Sequence, residues 1–288
     1  MLFRSLSIAV NNAHATLPKI GTLTAMLERT LGVECGANIY ASFTRQSAFR
    51  THADEHDVLV LQVAGSKRWL CFGNSPQPSS SAEQNEEPEW EGVLQPGDLM
   101  YVPRGDFHRA EVEGGASLHL TIRLVRPRVH DVINWLSQQG AAAGILEQDV
   151  IRDLPEEIAA LQTQKLKAAL HRLVDEFDLD AFFAHQDQSR PAFMPLNLGY
   201  SAELRSETRI LLTLRRRIVL PSSGPATVQV GGAPMTFNQQ ECAVLAQLQT
   251  QDGLFLSQIF ERCAPVTSAA ELEATVARLA RRSLVRLA

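Results

Sequence analysis

No stretch of this chain approaches the roughly 18 consecutive apolar residues that a membrane-crossing helix needs. The apolar patch near the start ends at Val10 and is interrupted by Ser7. That is too short for the core of a signal peptide, although Ala13-His14-Ala15 mimics a cleavage site, and the patch reads as a strand. Cysteine is scarce: Cys35, Cys71, Cys242 and Cys263 contain no C-x-x-C pair and are irregularly spaced. This excludes the usual disulfide frameworks and thiolate zinc sites, and reduced thiols in a cytoplasmic protein are the expectation. Lysine is missing from the last third. Arg190 to Ala288 holds 11 Arg, no Lys and 7 acids, about +4, which leaves about −9 on the first 189 residues. The asymmetry points to regions with different partners. The net charge of −5 gives no reason to expect nucleic acid to bind the chain as a whole.

The 288 residues allow two or three domains. The first part reads mainly as strands: Leu6–Val10, Gly36–Phe43, Asp57–Val63, Lys67–Phe72, Leu99–Val102, Phe107–Val112 and Ser117–Val125. Gly65-Ser66 reads as a tight hairpin turn between two of them. Leu17, Ile20, Leu23, Leu27 and Leu31 have helical spacing instead, and the polar stretch Gly73–Pro88 reads as an exposed loop. After Pro127 the pattern turns helical, over Val132–Gln138 and Pro155–Phe177. Ile158, Leu161, Leu166, Leu170, Leu173, Val174 and Phe177 form a stripe that must be buried on something, either the barrel or a second copy of the chain. Near the end, Asn238–Leu248, Leu254–Cys263 and Ala269–Arg282 read as three helices and Leu284–Leu287 as a short strand, the layout of a winged helix.

Two short motifs carry the chemistry. His52-Ala53-Asp54 lies just ahead of a strand, and on extended backbone residues i and i+2 point the same way, so both side chains can reach one ion. Gly97 to His108 fits G-x5-P-x-G-x2-H, in which Gly97 and Gly105 permit a tight turn, Pro103 stiffens it and His108 points into a barrel. Two imidazoles and one carboxylate with open positions make the facial triad of non-haem iron(II) oxygenases, and avoid thiolates that O2 would oxidise. Ligand type alone also accommodates zinc. His56 is an extra candidate suited to the surface or to supporting the ligands, and His119 lies on a later strand as a pocket-lining or packed residue.

Asn38-Ile39-Tyr40, the block Asp57-Val58-x-x-Leu61-Gln62-x-x-Gly65-x-Lys67-x-Trp69 and the run Tyr101 to Gly105 before His108 resemble the core of JmjC-type ribosomal oxygenases. The resemblance implies a double-stranded β-helix (cupin/JmjC) barrel over residues 1–126, N-terminally short because relatives usually carry more than the 51 residues that here precede His52. It implies a helical dimerisation segment over 127–192 and a winged-helix-like domain over 193–288, a mainly β plus α architecture. It also implies Fe(II) as cofactor on His52, Asp54 and His108, with 2-oxoglutarate and O2 as co-substrates. Lys67 is expected to pair with the distal carboxylate of 2-oxoglutarate, and Asn38, Tyr40 and Thr121 to line the co-substrate pocket. A buried dianion needs such a cation and hydrogen-bond donors.

The expected function is hydroxylation of a protein side chain, histidine or arginine of a ribosomal protein, by a cytoplasmic homodimer. A peptide hydroxylase of natural-product biosynthesis would share every motif. The reading from another class is a non-catalytic cupin and winged-helix regulator. Arg215, Arg216, Arg217, Arg278, Arg281 and Arg282 could support nucleic-acid contact in it, against the acidic charge of the first part.

Overall fold

The computed structural model describes residues 7–43, 50–74, 87–188, 204–264 and 267–288. They fall into two compact units, Met1–Arg126 together with Pro191–Ala288, and Pro127–Arg190. The loop read at Gly73–Pro88 lies largely outside the described residues, as does the junction near residue 193.

The first unit opens with β1 (Ser7–Val10), a single helical turn α1 (Ala13–Thr16) and α2 (Pro18–Leu31). Pro18 begins α2 where a missing N–H costs nothing, and Gly32 ends it in the left-handed conformation. There follow β2 (Glu34–Ser42), β3 (Asp57–Gly73), β4 (Trp90–Leu94), β5 (Leu99–Val102) and β6 (Phe107–Val125). All pair antiparallel in one sheet of order β1-β2-β6-β3-β4, with β5 also on β3. Leu120, Ile122 and Leu124 of β6, with Cys35 and Ala37 of β2, form a core on one face, closed by Ile20, Leu23 and Leu27 of α2. The helical spacing of those leucines is thereby used, and burying them is what holds the helix.

The hairpin expected at Gly65-Ser66 does not form. Asp57–Gly73 is one 17-residue strand and Phe107–Val125 one 19-residue strand, paired from Asp57 opposite Leu124 to Gly73 opposite Phe107 with breaks in register. The glycine marks a bulge instead. The register slips between Gln62 and Ala64 and again between Ala64 and Ser66, and Gly65 adopts φ +62°. A Cβ on Gly65 would sit 2.1 Å from the carbonyl oxygen of Ala116, so this backbone approach requires glycine. Buried Gln62 serves the bend: its Nε2 lies 2.9 Å from Ala64 O, 3.0 Å from Gly65 O and 2.9 Å from Ser117 Oγ, taking up carbonyls the ladder leaves over.

The rest of this unit comprises β7 (Arg209–Leu212), the hairpin β8 (Ala226–Val230) and β9 (Ala233–Phe237), α6 (Gln239–Thr250), β10 (Leu254–Phe255), α7 (Leu256–Cys263), α8 (Ala269–Arg281) and β11 (Val285–Leu287). The helix read from Leu254 starts two residues later, because Leu254 and Phe255 pair with β7. Ile210, Phe237, Leu245, Ile259, Leu279 and Leu284 are wholly buried at the centre of its core. Asn238 and Ser268 cap α6 and α8, each with a glutamate three residues on closing a capping box.

The link from α2 to this C-terminal part is ionic. Glu28, 1% exposed, accepts from the Cys35 amide at 2.9 Å, from Arg215 at 3.2 Å and from Arg216 at 2.7 Å. Arg29 beside it pairs with Asp252 and donates to the carbonyl oxygens of Leu212 and Leu214. Burial pushes the Glu28 carboxyl above the usual carboxylate range, and Arg215, the Cys35 amide and Arg216 pull it back only in part. Arg278 and Arg282 face Glu241 at 3.5 and 3.3 Å. Four of the six arginines considered for nucleic acid are therefore engaged with internal carboxylates.

The second unit holds α3 (Val129–Ala142), α4 (Glu156–Asp175) and α5 (Leu179–Gln188). Trp135 meets Phe177 and Phe182 edge-on at 6.1 and 5.7 Å. Of the apolar stripe read on α4, Leu173 is buried here, while Ile158, Leu161, Leu170 and Val174 are exposed.

Glu28→Ala strips three donors of their acceptor and is expected to destabilise the protein by about 3–5 kcal/mol. Adding Arg215→Met and Arg216→Met should recover part of the loss. Urea unfolding of the single and triple variants checks both statements, and a Glu28→Ala protein as stable as the parent would contradict them.

Candidate metal centre

His52 and Asp54 sit on the extended segment before β3, and His108 is the second residue of β6. The two segments are stitched by backbone. His52 N–H donates to His108 O at 3.1 Å and His108 N–H to His52 O at 2.8 Å, while Gly105 N–H donates to Asp54 O at 3.0 Å. The turn of the second motif, with Gly105 at φ +88°, thus holds the first motif in place. Arg104 N–H donates to Asp57 Oδ1 at 3.0 Å and Arg126 pairs with Asp57 at 3.1 Å, which fixes the start of β3.

One ligand atom from each of His52, Asp54 and His108 lies within 4.8 Å of the others, and His108 Nε2 stands 3.5 Å from Asp54 Oδ2. Donors bonded to one ion at about 2.1 Å lie about 3 to 4 Å apart, so the cluster fits a shared metal with little adjustment. The protonation states fit as well. His52 Nδ1 donates to Arg50 O at 3.0 Å and His108 Nδ1 to Asp106 O at 2.9 Å, which places the proton on Nδ1 and the lone pair of each ring on Nε2. Burial pushes His108 below the ordinary imidazole value, with its Asp106 hydrogen bond opposing, so the ring is neutral at physiological pH, as a ligand must be.

The cluster opens on a cavity of about 140 Å³. Every residue expected from the sequence to hold metal or co-substrate lines it: His52, Asp54 and His108 with Lys67, Asn38, Tyr40 and Thr121. The bulge is what brings them together. Before it, even-numbered Val58 and Val60 of β3 face the cavity; after it, odd-numbered Lys67 and Trp69 do. β6 switches in the same way, from His108 and Ala110 to His119, Thr121 and Arg123. A straight strand keeps one parity on one face.

Asn38 Oδ1 accepts from the Asn12 amide at 2.9 Å, and its Nδ2 donates to Tyr40 Oη at 3.4 Å. Lys67 is buried, and burial pushes its ammonium down to about 8. Its Nζ lies 3.1 Å from His119 Nδ1. No carboxylate pairs with it among the described residues.

His56 lines the cavity outside the metal cluster, and its Nδ1 is buried without a hydrogen-bond partner among the described residues. Five lining residues were not singled out from the sequence as functional, among them the apolar Val58 and Val60. Trp69, read only as part of a motif, lies against His108 at 5.9 Å and keeps its indole N–H unpaired among the described residues. Arg123 lies over Gly36, where a Cβ would meet its Nε at 2.4 Å. Ala110 carries no polar signal at all. The alternation of β6 beyond the bend was the one signal pointing to Arg123, two residues after Thr121.

Residues 10–132 match the family model of the JmjC domain. Ribosomal oxygenase 1 of Rattus norvegicus is 35% identical over 119 residues, 38% of this chain and 20% of that protein. The bifunctional lysine-specific demethylase and histidyl-hydroxylase NO66 of Drosophila willistoni is 32% identical over 135 residues, 43% of this chain and 18% of that one. The matched stretch thus takes in about a fifth of the length of these curated relatives. Among solved structures, Escherichia coli ribosomal oxygenase YcfD aligns over 100% of this chain and 80% of its own, with a TM-score of 0.59 at 16% identity. YcfD in complex with cobalt and 2-oxoglutarate gives 0.57 at the same identity and coverage. At that identity the likeness is one of fold. Residues 10–132 thus resemble a JmjC domain, and the fold is of the JmjC/cupin-type β-rich kind.

Asp54→Ala leaves two imidazoles and is expected to weaken Mn(II) or Fe(II) binding by more than about 100-fold, since even partners behind the ligands are worth 10- to 100-fold. Calorimetric metal titration reads this directly, and unchanged affinity would place the metal elsewhere.

Proposed function

We propose that this chain is an iron(II)- and 2-oxoglutarate-dependent oxygenase that hydroxylates a protein side chain, histidine or arginine of a ribosomal protein. The observation that carries the reading is one cavity holding both a two-histidine, one-carboxylate cluster and a buried lysine without a carboxylate partner among the described residues. An unpaired buried ammonium is costly, and a site that keeps one is built for an anion. His52, Asp54 and His108 hold the metal, which with O2 and 2-oxoglutarate supplies the oxidising power for a C–H bond. Lys67 takes the distal carboxylate of the co-substrate. Asn38, Tyr40 and Thr121 line its place, the first two oriented by the Asn12–Asn38–Tyr40 hydrogen bonds. Val58, Val60 and Trp69 keep water from the reacting centre.

In this reading the chain is a catalytic barrel (1–126), a dimerisation segment (127–192) and a winged-helix-like domain (193–288). A ligand- or DNA-binding regulator is the weaker reading, because Arg215, Arg216, Arg278 and Arg282 face internal carboxylates. Dimerisation is supported by the helical unit, where Val129 and Val174 stand 76% and 65% exposed beside Ile133, Leu161 and Leu170. Single exposed apolar residues are ordinary, but a set on helices of one small unit marks an interface. Sedimentation should give the mass of two chains, and Leu170→Glu with Val174→Glu should halve it. A monomeric parent would end the dimer proposal.

The protein with Fe(II), O2, 2-oxoglutarate and ribosomal proteins is expected to release succinate and add 16 Da to one protein. Absence of both would overturn the oxygenase reading. Lys67→Ala should raise the KM for 2-oxoglutarate about 10- to 100-fold, the worth of a charge-assisted contact. The anion binds the ammonium form, and burial holds Lys67 at about 8 before it arrives. Affinity should therefore be greatest below that pH and fall by up to about tenfold per pH unit above it, with proton uptake on binding.

A further inference from the structure

Among the described residues the Lys67 ammonium has one hydrogen-bonding neighbour, and it is a histidine. Nζ lies 3.1 Å from His119 Nδ1, and both residues are 5% exposed. An ammonium only donates, so the imidazole nitrogen facing it must offer its lone pair and carry its proton on Nε2. The ring cannot swing away. It stacks on Tyr40 with centroids 5.2 Å apart and planes at 18°, and meets Trp69 edge-on at 5.6 Å and 86°. Tyr40 comes from β2, Trp69 from β3 and His119 from β6, and none of these neighbours is acidic. A flexible side chain with four rotatable bonds is thereby tied at its tip.

We infer that His119 is a positioning residue: its Nδ1 accepts one of the three Lys67 hydrogens and so aims the other two at the carboxylate of the bound co-substrate. This rests on the reading of Lys67 as the carboxylate anchor. A carboxylate in the place of His119 would neutralise Lys67 and compete with the ligand; a neutral acceptor orients the cation and leaves its charge unspent. Burial, and then the charge of Lys67, push His119 down to about 3, so the ring stays neutral over the working range of the protein. The aromatic contacts give the same residue a purely packing role, and the two roles separate experimentally. His119→Phe keeps a ring between Tyr40 and Trp69 but removes the acceptor. His119→Asn loses the ring but keeps an oxygen close to the place of Nδ1.

The test is calorimetric titration of Mn(II)-loaded protein with 2-oxoglutarate, followed by succinate kinetics with Fe(II). His119→Phe is expected to weaken binding about tenfold and to raise the KM equally, with kcat within about threefold of the parent, while His119→Asn stays within about threefold in affinity. Nitrogen-15 spectra of the parent should show the His119 proton on Nε2. Parent-like binding by His119→Phe, an Asn variant as weak as the Phe variant, or a proton on Nδ1 would each overturn the positioning role. Failure of the parent itself to bind 2-oxoglutarate would instead remove the reading beneath it.

Discussion

The site depends on a paired bend in two long strands. β3 and β6 run antiparallel from Asp57 opposite Leu124 to Gly73 opposite Phe107. A flat ribbon of that length would present one parity of residues to one face throughout. The bulge at Gly65, pressed against Ala116 and satisfied by Gln62, reverses the parity of β3. β6 makes its own reversal within the segment that carries Gly114 and Gly115. Both halves of both strands then face the same cavity. His108 and Ala110 meet it from one half of β6, and His119, Thr121 and Arg123 from the other. The metal cluster and the buried lysine share a cavity because of this bend.

Around that bend the polar groups divide the work without overlap. Backbone pairing between His52 and His108, and between Gly105 and Asp54, sets the positions of the candidate ligands, while the Nδ1 hydrogen bonds set the lone pairs of the two imidazoles. Lys67 is left with a neutral acceptor and no counter-ion among the described residues. Stability is drawn from elsewhere, from the two apolar cores and from the buried Glu28 cluster that ties α2 to Arg215 and Arg216. The helical unit has a smaller centre around Trp135 and leaves much of its apolar surface uncovered.

Much of the site was legible in the sequence because its signals are local. The spacing of His52 and Asp54, the turn from Gly97 to His108 and the block ending in Lys67 and Trp69 each act over a few residues. The four site residues they suggested, His52, Asp54, His108 and Lys67, line one cavity, together with Asn38, Tyr40 and Thr121, which the family resemblance supplied. The bend was misread because a glycine followed by serine marks both a hairpin and a bulge, and the choice is made by a partner strand some fifty residues away. Arg123 was missed because its place depends on the missing side chain of Gly36 and on a parity that changes at residues 114 to 117. The arginines near 215 looked like a surface for nucleic acid because their partner, Glu28, lies in a distant helix. The single-turn helix α1 carries too few residues for a helical period to show.

A one-residue change of length is the kind of error that most strands absorb at their ends. Here β3 and β6 are fixed at both ends, by the backbone pairing of His52 with His108 on one side and by Asp57 and its partners on the other. A single inserted or deleted residue between Gln62 and Lys67 would turn Lys67 out of the cavity and bring Ser66 or Arg68 in, with the barrel otherwise intact. Length variation within the bend would therefore be filtered in steps of two. In a collection of related chains, the count of residues from the first histidine ligand to the lysine would be a sharper mark of a working pocket than the overall degree of identity.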